Sequence, residues 1–259
     1  MTPQMDVPAP AARPRAREVY LLWAIAFGTI VLGKALAEPL PWVGANVKAA
    51  AAALFLFLPA WSLRRRDESW DELGVPDLPW RNAEARRRFA VDLRWGLGTF
   101  LLLLPLVVAG FYLVVWSMPH LPGWLRYWVP YQRVPSFAPR LPDQMLLLSL
   151  DQLLVVALPE EVFFRGYVQT RLKQAWGAGK LRLFGVRVGA YFWVSHLLFA
   201  VAHLGDFDAS RLSVFFPSIL FGWLKEKTGS IGAAVWVHAG SNLLLKVLEA
   251  SFFGYGGAA

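Results

Sequence analysis

Seven apolar runs separated by short polar or basic segments dominate the chain, at 19–32, 43–63, 95–118, 144–169, 186–204, 212–224 and 231–252. Most approach the roughly 18 to 25 residues with which an α-helix crosses a hydrocarbon core. The pattern predicts an all-α fold, a polytopic transmembrane helical bundle of about seven spans, with six to eight as its range. The run 212–224 is short and contains Pro217, which predicts a tilted, broken or extended helix. Residues 1–18, with four prolines and three arginines, read as a flexible cytoplasmic tail. Residues 19–253 read as one membrane-embedded helical domain and 254–259 as a second loose end.

The first run has a competing reading as the core of a secretory signal, because Ala35-Leu36-Ala37 imitates a cleavage pattern. Lys34 before that site, Pro39 after it and the long proline-rich start favour an uncleaved helix. Composition agrees with a membrane protein: 56% of residues are apolar and only 17% charged, which excludes disordered, collagen-like and coiled-coil classes. Cysteine is absent, so disulfides, cysteine nucleophiles and thiolate metal sites are excluded.

A net charge of +8 would suggest nucleic acid if the basic residues formed one face, but they lie between apolar runs and read as topology signals. No nucleic-acid partner is expected. Alternate connections carry 18 and 6 Lys and Arg, with Arg165 and Lys246 inside runs. This places the N-terminus in the cytoplasm and, with seven spans, the C-terminus outside, in a bacterial inner (plasma) membrane. The loop 119–142, with Trp124, Tyr127, Trp128 and Tyr131, suits the headgroup region, and 80–94 is expected as a charged loop or a surface helix.

Ionisable side chains in mid-span cost at least about 2.5 to 3.5 kcal/mol each on insertion scales, so they mark function by default. The fourth run holds Glu160, Glu161 and Arg165 between apolar stretches, with Asp151 a further acid to which the sequence assigns no role. Glu161 and Arg165 are one turn apart and share a face; Glu160 points about a quarter turn away. Pairing one acid while its neighbour stays unpaired supplies an anchor and a base, unless both simply neutralise Arg165 in a buried network.

The fifth run carries His196 and His203, seven apart on one face, with Phe199 one turn before His203. Taken singly, each also fits a hydrogen-bonded structural histidine. In the seventh run His238 and Asn242 share a face across small residues, an arrangement that suits either an oxyanion or a polar helix–helix contact.

Together Glu160-Glu161-x-x-x-Arg165, Phe199-x-x-x-His203 and His238-x-x-x-Asn242 resemble the CPBP family, the membrane-embedded glutamic endopeptidases that include CAAX prenyl proteases and bacteriocin-processing and immunity proteins. The resemblance covers 144–246. It implies that Glu160, helped by His203, activates water for attack on a peptide carbonyl, and that His238 and Asn242 steady the oxyanion. Glu161 and Arg165 would support the site, with Phe199 beside them. The implied substrate is a membrane protein or lipid-anchored peptide cut near its membrane-associated segment, as in CAAX-type, leader-peptide or C-terminal sorting-tail processing.

No cofactor and no metal are expected. Zinc on His203, His238 and a glutamate lacks a His-Glu-x-x-His pair to support it, and Ser195 and Ser241 point away from the nearby histidines. Two other functions compete: a non-proteolytic immunity or scaffold protein of the same family, and a small proton-coupled transporter. The absence of paired repeats weighs against transport.

The depths of the three motifs conflict. Counted from the run boundaries, His203 lies some 12 to 15 Å deeper than Glu160 at about 1.5 Å per residue. The conflict is relieved if the fourth helix continues past Gln169 or the fifth begins after Val186.

Overall fold

The protein is described by a computed structural model over residues 16–123 and 137–254. The expected tail up to residue 15, Trp124, Tyr127, Trp128 and Tyr131 of the 119–142 loop, and the chain end from 255 lie outside the described residues. Seven helices follow one another among the described residues. They are α1 (Ala16–Ala35), α2 (Pro41–Arg64), α3 (Ala83–Ser117), α4 (145–176), α5 (Ala190–Ala202), α6 (Phe215–Thr228) and α7 (Gly232–Phe253). Residues 16–18, expected in the tail, are helical.

The three N-terminal helices are each long and apolar enough to cross a bilayer. Pro41 opens α2, where its missing N–H would be unpaired anyway, and Asn82 caps α3 by accepting from the Ala85 N–H at 2.8 Å. At 35 residues, about 52 Å, α3 exceeds a hydrocarbon core. Its charged start, Ala83 to Arg94, is therefore an extension of the third span and not a separate surface element. Leu102 and Leu106, one turn apart, are 76% and 68% exposed, the signature of a face turned to lipid. Gly96 admits the partner of α3: a Cβ there would stand 2.6 Å from Cβ of Trp236 on α7.

The fourth helix is the axis of the bundle. Short α segments (Met145–Leu150, Leu158–Glu161 and Thr170–Trp176) alternate with π-helical ones (Asp151–Ala157 and Val162–Gln169). Pro159 has no N–H to give a normal turn and its ring crowds the carbonyl one turn back, and the wider turns beside it relieve both. Every residue from Val162 to Gln169 is buried, and Phe163 and Phe164 pack on Phe55 of α2 and Phe199 of α5. Seven apolar runs have thus become seven helices, with α5 and α6 short at 13 and 14 residues. Pro217 lies in the first turn of α6, where it does not break the helix.

One boundary is corrected. Val186 belongs not to the fifth helix but to a small antiparallel hairpin, β1 (Leu181–Leu183) with β2 (Val186–Val188), in which Leu183 faces Val186. Phe184 and Gly185 both have positive φ, the two-residue turn that suits a hairpin, and Val186 and Val188 alternate inward around exposed Arg187. The fifth helix therefore begins at Ala190 while the fourth runs on to Trp176. Both changes act on the depth conflict between Glu160 and His203.

Candidate active site

The candidate residues come from α4, α5 and α7. Glu161, fully buried, accepts from Nδ1 of His238 at 2.8 Å and lies 3.2 Å from Nη1 of Arg165. Its neighbour Glu160, a quarter turn around α4, faces Nε2 of the same imidazole at 3.8 Å, beyond hydrogen-bond length. Oε2 of Glu160 is buried without a hydrogen-bond partner. His238 thus stands between two carboxylates that differ in their partners: one is tied to an arginine and a ring nitrogen, the other is not.

Aromatic rings fix this geometry. His238 stacks on Phe221 of α6 with centroids 4.8 Å apart, and Phe199 lies edge-on to it at 6.3 Å. The guanidinium of Arg165 sits 4.2 Å above Phe199 and 5.2 Å from Phe221, so the cation is held by two ring faces in addition to Glu161.

His203 lies one residue past the end of α5. Its Nδ1–H donates to the Phe199 carbonyl at 2.9 Å, which leaves Nε2 as the unprotonated nitrogen. Its ring also packs against Phe199 at 4.5 Å between centroids, and Phe199 in turn lies edge-on to His238.

Asn242 does not pair with His238. Its amide donates to Oε1 of Gln152 at 3.0 Å, and a second hydrogen remains for another acceptor. Gln152 in turn donates to Asp151, which pairs with Lys48 of α2 at 2.6 Å. Asp151 thereby gains an account: with Gln152 it forms a polar row leading from Asn242 to exposed Lys48.

A second polar row descends on the opposite side. Arg165, Gln169 and Lys173 recur every fourth residue along α4 and meet Ser218, Gly222 and Glu226, which recur in the same way along α6. Arg165 donates to the Ser218 carbonyl at 3.4 Å; Gln169 donates to the Gly222 carbonyl at 3.1 Å and to Glu226 at 3.0 Å; Lys173 pairs with Glu226. His196, outside the family motif, meets Oγ of Ser218 at 2.8 Å through Nδ1. It buttresses the α6 segment that supports Arg165, and its hydrogen bond runs to that segment instead of to the glutamates.

Gly222 makes this row possible, because a Cβ there would fall 2.2 Å from Cε1 of His196 and 2.7 Å from Oε1 of Gln169. Sequence reasoning missed Gln152, Gln169, Ser218 and Gly222. A repeat of polar or small residues every four positions inside two apolar helices was the available signal for Gln169 and Ser218.

Residues 142–244 match the family model for type II CAAX prenyl endopeptidases of the Rce1-like kind. Over this stretch, less than half of the chain, the protein is similar to the type II CAAX prenyl endopeptidases. The stretch runs from just before α4 to the middle of α7 and contains Glu160, Glu161, Arg165, Phe199, His203, His238 and Asn242, whereas α1 to α3 lie outside it. No curated protein and no solved structure matches the chain. The match supports, at family level, a CAAX-type intramembrane endopeptidase, and the three long apolar helices support an integral membrane protein.

Proposed function

We propose that this Rce1-like protein is a glutamate-dependent, metal-independent endopeptidase that hydrolyses a peptide bond near a membrane-associated segment of a membrane protein or lipid-anchored peptide. The observation that carries the reading is the difference between adjacent carboxylates. Oε2 of each carboxylate is buried without a hydrogen-bond partner, but Oε1 of Glu161 is held by Arg165 and by Nδ1 of His238, while Glu160 approaches that ring only at 3.8 Å.

In this reading Glu160, assisted by Nε2 of His203, takes a proton from water as the water oxygen bonds to the peptide carbonyl carbon. The carbonyl electrons move onto oxygen, and the second amide hydrogen of Asn242 donates to that oxyanion. His238 can donate as well only when both its nitrogens carry protons, because Nδ1 already serves Glu161. The C–N bond then breaks, its electron pair stays on nitrogen, and the leaving amine takes the proton held by Glu160. Glu161, Arg165 and Phe199 keep the groups in register.

No cofactor enters this scheme. Among the described residues no group of three or more His, Asp or Glu is arranged to hold a metal ion. The 18-to-6 division of basic residues supports a cytoplasmic N-terminus, and the proposal places the protein in a bacterial inner membrane. Pairing of Arg66 with Glu18, Arg171 with Glu68 and Lys173 with Glu226 gathers the basic helix ends at one end of the bundle.

The test compares the terminal fragments of membrane proteins in cells carrying the active protein or its Glu160→Gln variant. Fragments present only with the active protein identify the substrates. Identical fragment sets, with both proteins inserted and equally abundant, would refute the proposal.

A further inference from the structure

Away from the candidate active site, the start of α1 and the end of α2 border a half-open cavity of about 400 Å³ lined by Arg17, Glu18, Leu21, Trp61, Arg65 and Arg66. Both helices are long and apolar enough to cross the membrane and run antiparallel, so these residues stand where the helices leave the hydrocarbon.

The charge in the cavity is unbalanced. Three guanidinium groups face a single carboxylate, and that carboxylate is fully engaged: Arg66 pairs with Oε2 of Glu18, while Oε1 accepts from Ser62 at 2.6 Å and from Tyr167 at 3.3 Å. Arg17 and Arg65 add two positive charges that Glu18 does not offset. Arg65 is already oriented, its guanidinium lying 4.7 Å over the Trp61 ring.

An apolar track continues from the cavity along α1. Leu21, Ile25 and Leu32 are 59%, 43% and 59% exposed, and Gly28 between them has open space where a side chain would be. Spacings of four, three and four residues place all of them on one helix face. At Gly28 nothing stands within 4 Å of where a Cβ would be, so the backbone there is open to contact.

The geometry points to a binding site for an anionic phospholipid on the basic face of the membrane. Arg17 and Arg65 take its phosphate, by the forked hydrogen bonding that guanidinium groups give to phosphate oxygens, and an acyl chain lies along Leu21, Ile25, Gly28 and Leu32. Free phosphate would satisfy the two arginines but leave the apolar track uncovered, which is why the lipid is favoured. This site is independent of the proposed catalysis.

The test uses the full chain, solubilised in neutral detergent and titrated with phosphatidylglycerol or phosphatidylcholine of distinguishable acyl mass, with the first bound lipid counted by native mass spectrometry. Phosphatidylglycerol should bind preferentially. R17Q/R65Q should lose affinity for it by about 30-fold, roughly fivefold for each guanidinium at the membrane surface. G28L, which blocks the chain track and leaves both arginines, should weaken binding as well.

Both substitution sites of the arginine pair are exposed, and an unchanged melting temperature shows that the fold persists. Three results overturn the proposal: equal binding of the two lipids, undiminished phosphatidylglycerol binding by R17Q/R65Q, or displacement of the lipid by excess inorganic phosphate with G28L binding normally. The last assigns the cavity to a free anion. Failure of cleavage in any variant has no bearing on these outcomes.

Discussion

If Glu161 is an anchor and Glu160 a base, removing their charges should have opposite consequences for stability and turnover. Replacing Arg165 by Met leaves Glu161, fully buried, with His238 alone, and takes away the cation held over Phe199 and Phe221. Stranding one member of a buried ion pair costs about 3 to 5 kcal/mol, which is a large part of the stability of a small domain. Glu161→Gln strands the guanidinium instead but keeps a hydrogen-bond acceptor for His238, so the lower end of that range applies.

The double variant Glu161→Gln/Arg165→Met leaves neither charge exposed to an apolar interior. Its loss should be smaller than the sum of the single losses by roughly 2 kcal/mol, within the coupling that contacting residues display. Glu160→Gln, which breaks no ion pair, should shift stability by less than about 1 kcal/mol. The assay is equilibrium unfolding in mixed micelles, followed by circular dichroism for all four variants beside the parent. Additive losses for the pair, or a Glu160→Gln variant as unstable as Arg165→Met, would refute the division of roles.

Three further outcomes follow from the same geometry. Gly222→Ala should destabilise the protein by about 1 to 3 kcal/mol and depress cleavage, because neither His196 nor Gln169 has room to withdraw; a thermal melt and a cleavage assay check it. Asn242→Ala should lower kcat by roughly 10²- to 10³-fold with little change in KM, the loss expected for one oxyanion donor, and steady-state kinetics on a defined substrate distinguish this from weaker binding. Cleavage should persist after dialysis against a strong chelator and remain unaffected by added zinc, measured on the same substrate.

Hydropathy located the apolar body of each of the seven helices but not their polar ends, such as the charged first turns of α3 and the basic last turns of α4. It placed the start of α5 too early because Val186 and Val188, which alternate in a strand about Arg187, were counted with the apolar run that follows; the turn residues Phe184 and Gly185 carried the missing information. The depth conflict between Glu160 and His203 arose from that boundary together with an end for α4 placed too early.

The Glu161–Arg165 pair was legible because both residues lie on one helix, four positions apart. The partner of Asn242 was not, because Gln152 lies 90 residues away on another helix, and no spacing within α7 points to it. Gly222 was hidden for a similar reason: its value lies in what His196 and Gln169, from two other helices, place against it.

Turnover by the Glu160→Gln variant tests the central claim most directly. With purified parent and variant reconstituted at equal amounts in vesicles with a substrate identified from the fragment comparison, the account predicts cleavage by the parent and none above background by a variant that melts at the same temperature. A variant that is equally folded and cleaves at the parental rate would contradict it.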